Sequence, residues 1–254
     1  MKGWNRQTGP VLTVAGERLS SGELQVIGRL PWSSNLTFLV SIDKGPEHST
    51  DDVIDDDQLL GVYKPSRGER PLWDFPGELY RREVAAYELS AALGWDIVPP
   101  TVLRDDAPLG PGSVQLFVDA DYRRHYFTLL EEGGHDSLLK TVCAFDIAVN
   151  NADRKSGHVL SDGGTGIWAI DHGLCFHWQP KLRTVVWDYA GEAIPEVLLA
   201  DLSLTVGSLP DAVGRHLEPR ERAALSSRVE AMVDCATFPE PIGGDRPPYP
   251  WPLV

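Results

Sequence analysis

Residues 150–176 read NNADRKSGHVLSDGGTGIWAIDHGLCF. This stretch sets Asp153 in a polar turn, His158 five residues further on, and Asp171 at the end of an apolar run. The segments His158–Ser161 and Thr165–Ile170 flank Asp162-Gly163-Gly164, a compact turn signal that predicts a hairpin. Two carboxylates on loops beside paired strands suit phosphoryl transfer, where one handles the attacking hydroxyl and the other holds a divalent cation. Taken singly, each Asp also has an ordinary reading as a turn or capping residue. Two of them separated by one hairpin are harder to explain that way. A carboxylate that ends a buried strand carries a desolvation cost, which a metal ion offsets.

Upstream, Gln25–Leu30, Thr37–Ile42 and Leu59–Lys64 are short apolar or alternating runs between Gly, Pro, Ser and Asp clusters, so the first third is expected to be strands. Asp43–Asp57 is expected to be a polar loop joining two strands of one sheet. Gly77–Leu93 has a helical stripe in Leu79, Val84, Tyr87 and Leu93, with Gly94 as its stop. Ile97–Leu103 and Ser113–Val118 are predicted strands, and Asp136–Asn150 a mostly buried helix. Pro195–Leu202 and Glu218–Cys235 are predicted helices, the second exposing Glu221, Arg222, Arg228 and Glu230. From Pro239 onward the proline content rules out a regular helix. That segment is expected to be extended, docked or disordered.

The order is α+β, and it predicts two lobes with a cleft between them. We expect a strand-rich N-terminal lobe over 1–118, a mainly helical C-terminal lobe over 119–238, and a Pro-rich tail over 239–254. Within this plan Lys64 ends an apolar strand in GVYKP, where it is either a solvated strand-end Lys or a point charge facing the cleft. Glu83, on the following helix, is either solvated or the partner that aims Lys64.

Composition narrows the possibilities. The 254 residues suffice for a substantial core. A net charge of −14 argues against nucleic acid and against electrostatic adhesion to an anionic membrane. The acidic run Asp51, Asp52, Asp55, Asp56 and Asp57 lacks the oxygen spacing of a calcium loop and reads as solvated. No apolar run is long enough to span a membrane, and the N-terminal residues do not read as a secretory signal, so the expected compartment is the cytoplasm. Cys143, Cys175 and Cys235 form no metal or disulfide pattern and are expected to be buried.

The segments SSNLTFLV, VYKP, YRREVAAYELSAALGWDIVPPTVL, GSVQLFV, NNADRKSGHVL and AIDHGLCF occur in the order of a known family. Over Ser33–Phe176 the chain resembles the phosphatidylinositol 3-/4-kinase-like branch of the protein-kinase-like superfamily. It is most similar to type II phosphatidylinositol 4-kinases and more distantly similar to HipA-like kinases, and it is identified as an actinobacterial member. The resemblance implies a bilobal kinase-like fold that uses ATP with Mg²⁺, or Mn²⁺ instead. It makes Ser33, Ser34 and Asn35 the turn over the phosphates and Lys64 the phosphate contact paired with Glu83. Gln115, Leu116, Phe117 and Val118 become the hinge against adenine, Asp153 the catalytic base and Asp171 the principal metal ligand. His158 stands where the family places Asn. An imidazole suits Mg²⁺ less well than an amide oxygen, so a second Mg²⁺ is expected to bind weakly, and the site is expected to work with one metal, to favour a softer ion such as Mn²⁺, or to have lost catalysis. His172 is expected to pack or to hydrogen-bond.

The leading expectation is therefore a monomeric kinase-like phosphotransferase. It would move the γ-phosphoryl group of the bound nucleotide to a hydroxyl on a small molecule, protein or lipid. A pseudokinase, meaning a nucleotide-binding or interaction module, and AMP transfer from the same site are the alternatives. Lys181 and Arg183 are the only cations of the segment after Asp171, fewer than an inositol phosphate head group asks for. Trp178 and Trp187 are expected in the C-terminal core.

Overall fold

The computed structural model describes residues 10–31, 33–43, 59–163, 166–241 and 247–254. Helix α1 (Pro10–Ser21) precedes strands β1 (Leu24–Arg29), β2 (Phe38–Ile42) and β3 (Leu59–Pro65). Helix α2 (Leu79–Ala92) follows, then β4 (Thr101–Arg104) and β5 (Gly112–Leu116). The strands form one antiparallel sheet in the order β1-β2-β3-β5-β4.

Beyond the sheet the chain is mainly helical: α3 (Tyr126–Glu132), α4 (Asp136–Val149), α5 (Glu196–Ser203), α6 (Asp211–Gly214) and α7 (Pro219–Cys235). The hairpin β6 (Val159–Ser161) and β7 (Ile167–Ala169) is embedded among them, so the α+β, kinase-like arrangement expected from the sequence is what forms.

Strand β3 shows why Lys64 faces the cleft. Along it burial alternates, with Leu59, Gly61, Tyr63 and Pro65 turned into the sheet's core. Residues of the opposite parity, Val62 and Lys64, line the cleft, as a period of two requires. On the neighbouring strand Gly112 is obligatory, because a Cβ there would lie 2.4 Å from the Lys64 carbonyl oxygen. The core of this region gathers Ala15, Leu19, Val40, Ile42, Tyr63 and Val114. A larger core joins α2, α4 and α7 through Ala86, Leu89, Phe145, Val149, Leu225 and Val229.

Several expectations change. Helix α1 occupies part of the stretch expected to be strands, and Arg104 holds it by donating to the carbonyls of Leu19 and Gly22 at 2.8 and 2.9 Å. The strand expected over Ile97–Leu103 begins only at Thr101, since Pro99 and Pro100 have no N–H for a ladder. Helices α3 and α6 were not foreseen.

On α7, Glu221 is buried and paired with Arg82 of α2, rather than exposed. Arg228 likewise turns inward, donating to the carbonyls of Ala148 and His177. Cys235 is exposed, while Cys143 and Cys175 are buried. Trp178 and Trp187 are half-buried and lie outside that large core, Trp178 stacking under the Arg220 guanidinium at 3.4 Å. The acidic run and most of the expected Asp43–Asp57 loop lie outside the described residues. Residues 247–254 are docked: Thr184 N–H donates to the Pro248 carbonyl and Ser156 N–H to that of Leu253. Among the described residues no helix is long and apolar enough to cross a membrane.

Candidate active site

Two contiguous cavities of about 260 and 240 Å³ form one cleft, sharing Ser33, Thr37, Lys64 and Asp171. The first also takes Ser34, Asn35, Glu83 and Asp153. The second takes Gln115, Leu116, Phe117, Val118 and His158. Every site residue named from the sequence therefore borders the same space.

The turn over the cleft is tied internally. Thr37 Oγ1 donates to Ser33 Oγ at 2.8 Å, and Asn35 Oδ1 accepts the Arg70 N–H at 3.0 Å. Below it, the Lys64 ammonium lies between two carboxylates, bonded to Glu83 Oε1 and, at 2.9 Å, to Asp171 Oδ1. Burial alone would lower its pKa, but Asp171 and Glu83 outweigh that and hold it above the ordinary lysine value. Glu83 is buried on α2, and its other oxygen accepts the His172 N–H at 2.9 Å. One glutamate thus fixes both the Lys64 side chain and the backbone beside Asp171.

Asp171 sits in the left-handed region at φ 62°, a conformation that Asp tolerates better than most residues. Its side chain is 49% exposed toward the cleft. Although enclosure by protein pushes its pKa up, Lys64 and then His158 win and hold it well below the carboxylate range. Asp153 behaves in the opposite sense. Desolvation raises its pKa and the negative charge of Asp171 adds to this, while Lys155, 3.3 Å away, restrains the rise. The two carboxylates are thus driven apart, one a persistent anion and the other a stronger base than an ordinary Asp.

His158 Nε2 is 3.5 Å from Asp171 Oδ2. Burial, aided by Arg154, Lys155 and Lys64, outweighs Asp171 and brings its pKa down to about 4, so the ring is neutral at pH 7. Its Nδ1 is buried with no hydrogen-bond partner among the described residues. An N–H at that nitrogen would be stranded, so the tautomer with the proton on Nε2 is favoured. Asp171 is therefore well suited to a hard cation, whereas His158 must first shift its proton to the unpartnered nitrogen. Among the described residues no cluster of three or more His, Cys, Asp or Glu forms a metal cage.

The sequence reading missed what holds these residues. Arg154 and Asp146 are both fully buried, and Arg154 Nε donates to the Asp146 carboxylate oxygens at 3.0 and 3.1 Å. Its Nη1 donates to the Ile170 carbonyl at 2.6 Å and to that of His158 at 3.3 Å. Its Nη2 meets His172 Nε2 at 2.8 Å. One guanidinium therefore joins α4, the Asp153 loop, the hairpin and the backbone flanking Asp171. A visible signal existed: Asp146 is a lone charge within the apolar stripe of its helix. Also missed were the apolar walls of the second cavity, Leu30, Val62, Leu160 and Ile170, which make a slot suited to a planar ring.

This arrangement of sheet, cleft and helices is a kinase-like fold. It is shared with the Golgi casein kinase solved with Mn/ADP bound, at a TM-score of 0.53 and 12% identity over 89% of this chain and 75% of that one. It is also shared with hydra Fam20 solved with sugar, at a TM-score of 0.54 and 16% identity over 90% and 89%. At such identities the likeness is one of fold, and it does not reach the phosphatidylinositol kinase branch in particular. No protein-family model matches the chain. It is 36% identical over 272 residues to Protein Rv2133c of Mycobacterium tuberculosis (strain ATCC 25618 / H37Rv), covering 92% of this chain and 93% of that protein. The chain belongs to the family of Protein Rv2133c.

Proposed function

We propose that the chain is an ATP-dependent phosphotransferase that moves the γ-phosphoryl group to a hydroxyl acceptor. The observation that carries this reading is the convergence of Lys64, Glu83, Asp153 and Asp171 on one cleft with the Ser33–Asn35 turn. The apolar slot beside Gln115–Val118 takes the adenine, and backbone groups there meet its polar edge. Lys64, aimed by Glu83, exchanges its bond to Asp171 for the nucleotide phosphates. Asp153, with its raised pKa, orients the acceptor hydroxyl and takes its proton as the hydroxyl oxygen bonds to the γ-phosphorus and the bond from that phosphorus to the β–γ bridging oxygen breaks, releasing ADP. Positioning and electrostatics supply the acceleration.

Asp171 holds the divalent cation, and His158 is the weaker second ligand. The cation, when bound, neutralises charge on the phosphates. The motif order quoted above favours kinship with phosphatidylinositol 3-/4-kinases in this machinery and leaves the acceptor open. A lipid head group gains little support, because Lys181 is engaged by Asp74 at 2.9 Å and Arg183 Nε by the Ala152 carbonyl.

The test is incubation with γ- or α-labelled ATP, in Mg²⁺ and in Mn²⁺, with cell lysate as acceptor. Label arriving from the γ position and disappearing in Asp153→Asn and in Asp171→Asn is the expected result. Label from the α position would mean AMP transfer instead. Nucleotide binding without turnover in either metal would mean a pseudokinase.

A further inference from the structure

Residues 247–254, PPYPWPLV, run along the outside of the loop that carries Asp153 and His158. They are anchored near both ends. The Pro248 carbonyl accepts the Thr184 N–H at 3.0 Å and the Trp187 Nε1–H at 3.2 Å. The Leu253 carbonyl accepts the Ser156 N–H at 2.8 Å. Thr184 lies in a segment that is itself laced to the loop: Arg154 N–H donates to the Arg183 carbonyl at 3.0 Å, and Val185 N–H to the Arg154 carbonyl at 3.1 Å. Three backbone layers result, with the loop innermost and the tail outermost.

Proline suits the outer layer. The tail supplies only acceptors here, so its missing N–H groups cost nothing, and its stiffness leaves little entropy to lose on docking. None of these residues lines either cavity of the cleft, so the tail does not stand in the path of nucleotide or acceptor. Ser156, by contrast, is buried, and its N–H has Leu253 as its partner. Without the tail that donor would have to move to find water.

We infer that residues 247–254 are a positioning strap, which fixes the height of the 153–158 loop through the Ser156–Leu253 bond and so aims Asp153 at the acceptor. This rests on the reading of Asp153 as the base. Holding the loop is a geometric role, so it is expressed in turnover and in loop protection and leaves nucleotide binding nearly untouched.

Three variants test it: a chain lacking residues 247–254, the full chain with Ser156→Pro, and the two combined. Ser156→Pro deletes the donor without redirecting the chain. Lys155 already has the extended backbone required before proline (φ −89°, ψ 160°), and Ser156 is the first residue of a 3₁₀ turn, a position at which proline is tolerated. Truncation is expected to lower kcat by about 10- to 100-fold, the cost of a small misplacement of a reacting group. Affinity for a non-hydrolysable ATP analogue should stay within about threefold, less than half a decade of equilibrium constant. Hydrogen exchange at His158 should accelerate. Ser156→Pro should match the truncation and add nothing to it, the signature of one shared contact. A synthetic 247–254 peptide should restore part of kcat to the truncated chain.

Unchanged kcat with unchanged exchange overturns the strap, and a rise in kcat overturns it in favour of an inhibitory tail. A loss of nucleotide affinity equal to the loss of kcat overturns it as general damage. If the truncated chain does not fold, Ser156→Pro in the full chain decides by the same readouts. If the full chain transfers no phosphoryl group, the catalytic reading fails, and exchange at His158 still decides whether the tail holds the loop.

Discussion

Arg154→Met isolates the contact that holds the active loop. Both Arg154 and Asp146 are fully buried, so the substitution leaves the Asp146 carboxylate in the interior with, among the described residues, Asn151 Nδ2 and Thr184 Oγ1 as its side-chain donors. Removing one member of a buried ion pair costs about 3–5 kcal/mol. The carbonyls of Ile170 and His158 also lose a donor, at about 1 kcal/mol each. These contacts share one guanidinium and overlap, so about 4 kcal/mol is the reasonable total. For a chain of this size that corresponds to a fall in Tm of about 10 °C.

Thermal unfolding followed by near-ultraviolet circular dichroism measures the fall. Adding Asp146→Asn removes the stranded charge and should recover part of it, with a coupling of about 1–3 kcal/mol. A single variant melting within about 2 °C of the parent would refute the reasoning. So would a double variant that melts at the sum of the two single losses.

Other outcomes follow from the same site. Lys155→Met removes the cation that restrains the Asp153 pKa, so Asp153 is protonated at higher pH, and the acid limb of kcat/KM should move upward relative to the parent. His158→Asn supplies an amide oxygen in place of a ring whose other nitrogen has no acceptor among the described residues, so turnover in Mg²⁺ should rise relative to Mn²⁺, read as the ratio of rates in the two metals. His216 is brought down to about 4 by burial, with Arg215 and Arg81 adding to it. Its depressed value means that its contribution to stability is complete above pH 6.5 and is lost as pH falls from 6.5 to 4. Tm followed over that range should decline less steeply in His216→Phe than in the parent.

What could be read from the sequence was what obeys local rules. Lys64 and Glu83 were each open to an ordinary reading alone and were singled out by their order and spacing, which match the family resemblance; strand alternation explains afterwards why Lys64 faces the cleft. Asp153 and Asp171 were visible because a turn signal separates them. Arg154 was not, because its four partners come from three separate segments and no spacing announces them. Glu221 was misjudged for a different reason. It sits at i−4 from Leu225 and i−8 from Val229, on the buried stripe of α7, so the helical period itself argued against exposure. Charge was given more weight than phase. Its partner Arg82 is 139 residues away, which no local pattern reveals. Helix α1 was hidden by its Gly and Ser content, and it is held to the sheet by Arg104 from a distant strand.

The Arg82–Glu221 pair has a wider consequence. In a bilobal enzyme the helix bearing the lysine's partner is a natural throttle, since swinging it outward separates the pair. Here, swinging α2 away would tear a buried arginine from a buried glutamate, at a cost of about 3–5 kcal/mol. A disengaged state that costly is populated below about one molecule in a hundred. The Lys64–Glu83 pair is thus kept closed by a latch that lies outside both cavities of the cleft.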